Sequence, residues 1–106
     1  MTTKKRTLAK IRKEDPVSYV VLMMKGEYEG SITYAYREWG DPIDDMDGWQ
    51  SYREAAVWSL ENNGEGIPSD SDEEVQKLVK AYADMSEEYK EQMRVKPLEK
   101  KAKKKK

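Results

Sequence analysis

The chain has no cysteine, no histidine and no phenylalanine in its 106 residues. Without Cys or His, zinc sites of the usual ligand types, a thiol nucleophile, a Ser-His-Asp triad and a His-ligated haem are excluded. The missing Cys also leaves no disulfide to brace a small core, so the fold must stand on packing alone. Long apolar runs are missing too. The longest, Tyr19–Met24, is six residues, against about 20 for a bilayer span. The cationic start at Lys4, Lys5 and Arg6 is followed by a stretch that Lys10, Arg12 and Lys13 interrupt, so no signal-peptide apolar segment is read there. These features lead us to expect a cytoplasmic protein without a membrane span. Glycines stand apart and none forms the GxxxxGK(S/T) phosphate loop.

What is present is charge: 20 Lys and Arg against 21 Asp and Glu. The near-zero sum hides three blocks. Residues 1–13 carry +6, residues 94–106 carry +7, and the body between them carries −14. We expect a basic flexible arm over residues 1–13, an acidic, mainly helical domain over 14–95, and a Lys-rich disordered tail over 96–106.

Within the body, Asp15-Pro16 reads as a cap followed by proline in the first helical turn. Val17, Val20, Val21 and Met24 follow at helical spacing, with Gly26 as the expected stop. Ser31 opens a second helix in which Ile32, Ala35, Tyr36 and Trp39 share a face. The alternation of Ile32, Tyr34 and Tyr36 leaves a β-hairpin over residues 17–39 as the rival reading. Asp47 is the expected cap of a third helix, lined by Trp49, Tyr52, Ala56 and Leu60 and ended by Asn62-Asn63-Gly64. Ser71 and Glu74 form a capping-box pattern before Val75, Leu78, Val79 and Tyr82, and Ser86 starts a last helix. The fold expected is mainly α, a small compact bundle of about four to five short helices with basic, disordered termini.

Several groups are candidates for function. Counting Ile43 as position 1, Asp45, Asp47, Gly48 and Glu54 match positions 3, 5, 6 and 12 of an EF-hand loop. Ile43 replaces the first ligand and Pro42 interrupts the preceding helix, so the segment is read as an acidic helix start, with no metal and no cofactor. Asp41, Asp44, Asp45 and Asp47 form one acidic cluster, and Asp70, Asp72, Glu73 and Glu74 another. If adjacent, the two would resemble a row of phosphates and compete for a basic groove. Trp58, Tyr34 and Met23 each leave the apolar face of their helix and are candidate anchors for another protein.

Partner-binding residues are thus expected to be Trp58, Tyr34, Met23, Asp44, Asp45, Asp70, Asp72 and Glu73. The expected role is a non-enzymatic protein–protein interaction module of adaptor or inhibitor type, although carboxylate-pair chemistry is compatible with so many acids. The alternative is nucleic-acid association, with Lys4, Lys5, Arg6, Lys100, Lys101, Lys103, Lys104, Lys105 and Lys106 on phosphate. Like charges ~10 Å apart in water repel by only ~0.4 kcal/mol, but the acidic body holds many such pairs. Removing both basic segments is therefore expected to lower the melting temperature at low salt and to matter little at high salt.

Overall fold

A computed structural model describes residues 6–94. Six α-helices run through those residues: α1 (Leu8–Glu14), α2 (Pro16–Glu29), α3 (Ile32–Trp39), α4 (Gln50–Glu61), α5 (Asp72–Ala83) and α6 (Glu87–Met93), with a short 3-10 turn over Pro42–Asp45. No strand occurs among the described residues, so the hairpin reading of residues 17–39 is set aside. Polar side chains start most of the helices. Asp15, Ser31, Ser71 and Ser86 each accept from the backbone N–H three residues on, which satisfies one of the amides that a helix start leaves without an internal partner.

α2 is the central element. It contacts α1, α3, α4, α5 and the 3-10 turn. Its apolar stripe of Val17, Val20 and Val21 is fully buried, and Leu22 is buried as well. A helix with neighbours on several sides needs apolar residues beyond one stripe. The core closes with Ala56, Val57 and Leu60 from α4, Val75, Leu78 and Tyr82 from α5, and Met93 from α6.

Three local expectations need correction. Residues 8–13, read as flexible arm, belong to α1, whose Ile11 is fully buried in the core. Burying one such side chain contributes about 1.5–3 kcal/mol, more than several solvent-screened repulsions among its lysines cost. Removal of residues 1–13 therefore takes core with it and must destabilise at any salt. Arg6 and Thr7 of the expected arm are also engaged, Arg6 by Asp15 and Asp41 and Thr7 as the cap of α1; residues 1–5 and the expected tail over 96–106 lie outside the described residues. Gly26 does not end α2, which runs on to Glu29 and is capped by Gly30 at φ 112°. Gly26 serves a different need, because a Cβ there would lie 2.7 Å from the backbone nitrogen of Ile32. Asp47 does not cap α4. Trp49 holds that position without a side-chain bond, and Asp45 Oδ1 instead accepts from the Gly48 N–H at 3.0 Å.

The capping box at α5 is indirect. Ser71 Oγ accepts from the Glu74 N–H at 3.2 Å, while the Ser71 N–H donates to Ser69 Oγ at 3.1 Å rather than to Glu74. Gly26→Ala should destabilise the protein by about 1–3 kcal/mol through the α2–α3 clash, read from the urea midpoint. An unchanged midpoint would show that the two helices do not approach so closely.

Candidate functional site

A buried carboxylate fixes one end of the molecule. Asp15 is only 3% exposed. Its Oδ1 accepts from the Ser18 N–H at 3.1 Å and the Tyr89 hydroxyl at 2.7 Å. Its Oδ2 accepts from the Ser18 hydroxyl at 2.8 Å and the Arg6 guanidinium at 3.2 Å. Arg6 continues to Asp41, donating to both carboxylate oxygens at 2.8 and 2.7 Å. The Asp41 hydrogen bond holds the Arg6 guanidinium above its ordinary pKa against the opposing effect of burial. Burial first, and the Asp15 charge second, push the Tyr89 hydroxyl well above its ordinary range. The network joins the segment before α1, the start of α2, the 3-10 turn and α6. Its donors and acceptors satisfy one another, so it reads as a brace rather than a reactive centre.

Asp41 also accepts from the Ile43 N–H at 3.1 Å, and so caps the 3-10 turn. From the other side, buried Arg53 of α4 donates to the backbone carbonyls of Met46 and, at 3.2 Å, Met93. Burial lowers the pKa of this guanidinium. Beside Asp41 lies a cleft of about 490 Å³, with Lys25, Trp39, Asp44, Asp45, Trp49 and Tyr52 among its lining residues. Trp49 is buried and meets Tyr52 edge-on, with ring centroids 5.8 Å apart and planes at 61°. Trp39 is 54% exposed. The Lys25 ammonium sits 4.4 Å from the Trp39 ring centroid and 5.5 Å from that of Tyr52, and pairs with Glu29 at 3.3 Å.

A second cleft, of about 700 Å³, opens where α2 faces the 67–71 segment; Tyr19, Met23, Glu27, Ile67, Asp70 and Glu74 help to line it. At 100° per residue, Met23 and Lys25 point roughly 200° apart on α2, so the two clefts flank that helix on opposite sides. Asp44 and Asp45 line the first cleft and Asp70 the second. A single phosphate-like row of both acidic clusters is not what this arrangement offers.

The expected anchors are likewise dispersed. Met23 is half-buried in the second cleft, whereas Tyr34 is 39% exposed, with the Arg37 guanidinium 5.5 Å from its ring. Trp58 is 52% exposed on α4, about 120° around that helix from Tyr52 and ~9 Å along it. Asp72 and Glu73 open α5, with Glu73 3.8 Å from Lys77. Of the basic residues expected on phosphate, Arg6 is held by Asp15 and Asp41, and the lysines at 4, 5, 100, 101 and 103–106 lie outside the described residues.

Sequence reasoning missed Trp39, Tyr52 and Lys25 as site residues. Trp39 and Tyr52 fit their helices' apolar stripes, a pattern that marks core residues. Trp39, however, is the last residue of α3 and stays about half exposed. Among the described residues no group of three or more carboxylates is placed to hold a metal ion. The EF-hand-like spacing is instead taken up by the Asp45–Gly48 turn, and Glu54 lies exposed on α4. Nor is any helix among the described residues long and apolar enough to cross a membrane. Comparison with protein-family models, curated proteins and solved structures finds no match.

Asp15→Ala leaves the buried network without its centre and should cost about 3–5 kcal/mol, whereas exposed Asp44→Ala should stay within about 0.5 kcal/mol. Urea denaturation of both variants checks this, and equal losses would mean that Asp15 is no brace. Tyr89 binds its proton more tightly folded than unfolded, so its contribution is complete below pH ~10 and is lost as pH rises further. The fall in stability above that pH should be shallower in Tyr89→Phe.

Proposed function

We propose that the protein is a non-enzymatic protein–protein interaction module, of adaptor or inhibitor type, that docks through its acidic surface with Tyr and Trp anchors. The observation that carries this reading is the placement of large aromatics. Every described Ile, Val and Leu is buried or partly buried, yet Trp39, Trp58, Tyr34 and Tyr28 stay 39–79% exposed. Rings that combine an apolar body with a polar tip are over-represented at protein interfaces. The −14 charge of residues 14–93 suits a partner with a basic groove, steering encounter and rejecting acidic surfaces.

The Lys run at residues 100–106 supports a second reading, non-specific association with nucleic acid, in which those lysines neutralise phosphates and release counterions. The engagement of Arg6 by two carboxylates removes one expected phosphate contact from that reading.

Immobilised full-length protein, challenged with lysate from its own cells with and without nuclease treatment, tests the two against each other. Trp58→Ala or Trp39→Ala should reduce the captured partner by about tenfold, while the melting temperature moves by no more than a few degrees. Capture that survives every aromatic variant and disappears with nuclease would replace docking by the nucleic-acid reading.

A further inference from the structure

The cleft beside Trp39 has a chemistry of its own, and the inference drawn from it rests on the docking reading. Its charges divide into engaged and free. Asp41 is engaged by Arg6 through both oxygens, and Lys25 is paired with Glu29. The Asp44 carboxylate makes no hydrogen bond or ion pair with another described residue, and Asp45 uses one oxygen on the Gly48 N–H. Two carboxylates therefore give the cleft a negative rim. Its wall is aromatic, built from Trp39, Trp49 and Tyr52.

The fold itself shows that this wall attracts a cation, because the Lys25 ammonium lies over the rings of both Trp39 and Tyr52. Attraction between a cation and a ring face is electrostatic and is strongest for Trp. Trp39 remains 54% exposed with Lys25 in place, so ring surface is left for a second group. A planar guanidinium suits it best, since it stacks on an aromatic face while its N–H groups reach carboxylates in forked geometry. An ammonium offers a point charge without the stacking plane.

We infer that this cleft receives an arginine side chain from a basic segment of the partner protein. The guanidinium stacks on Trp39 and is held by Asp44 and Asp45. Lys25 stays over both rings, its charge balanced by Glu29. Neither Trp58 nor Tyr34 lines this site. Trp58 is an internal reporter of contacts elsewhere.

The test uses the full-length protein with an acetylated, amidated hexa-arginine peptide as probe. Matched hexalysine and hexacitrulline peptides are the comparisons, and the readout is the ¹⁵N-resolved indole N–H signals of the three tryptophans. The Trp39 and Trp49 signals should shift to saturation with hexa-arginine while the Trp58 signal stays. Hexalysine should bind several-fold more weakly, and hexacitrulline, which keeps the shape without the charge, should not bind. Trp39→Ala and the double variant Asp44→Asn with Asp45→Asn should each weaken hexa-arginine binding by about tenfold. The asparagine variant touches no buried group, so it serves even where the alanine variant loses stability.

Equal affinity for hexa-arginine and hexalysine overturns the inference, because diffuse attraction to the acidic body would then suffice. So does an equal shift of the Trp58 signal, or an affinity unchanged in both variants. Any of these results leaves the docking reading standing if Trp58→Ala still releases the cellular partner. Loss of the docking reading is seen instead in capture indifferent to every aromatic variant.

Discussion

The buried carboxylate of Asp15 is the contact on which most of the architecture depends. An isolated charge in a protein interior is costly, and removing a partner from a buried pair destabilises more than the intact pair contributes. Here the charge is met by an amide, two hydroxyls and a guanidinium, drawn from the start of α2, from α6 and from the segment before α1. α6 is only seven residues long, and the segment before α1 has no regular structure of its own. Neither would hold its place on propensity alone. Through Arg6 and Asp41 the same network reaches the turn that begins the aromatic cleft, so the position of the cleft is tied to that of the brace.

Around this polar centre the apolar core supplies most of the stabilisation. α2 has α1, α3, α4 and α5 as neighbours, and its fully buried residues include both the expected stripe and Leu22. Gly26 permits the close crossing of α2 and α3. That crossing brings Trp39, at the far end of α3, back beside Lys25 of α2. A backbone constraint where α2 meets α3 thus determines which side chains share the cleft.

Much of the fold was legible in residue order. Asp15, Ser31, Ser71 and Ser86 announce helix starts because their side-chain oxygens have one obvious use beside a run of apolar residues. The valines of α2 and the Val75–Tyr82 stripe of α5 are periodic enough to be read directly. α1 was not legible, since a seven-residue helix with one buried isoleucine among lysines and arginines has the composition of a solvated tail. Gly26 misled for a related reason: a glycine is read as a stop when its neighbours in sequence are considered, and as a contact point only when the helix that crosses it is known. The cleft was half legible. Asp44 and Asp45 were singled out from local charge, but their company with Trp39, Lys25 and Tyr52 depends on three separate helices.

The Asp15 cluster also has a mechanical side. Arg6 and Tyr89 stand near opposite ends of the described chain, yet both grip the same carboxylate. The backbone is thereby closed into a ring by side chains. If the protein were pulled from its two ends, tension arriving through Arg6 and through the last turn of α6 would load those few hydrogen bonds in series before it reached α2–α5. Its resistance to stretching would be set by a polar clasp, and the buried valines would contribute only after the clasp had parted.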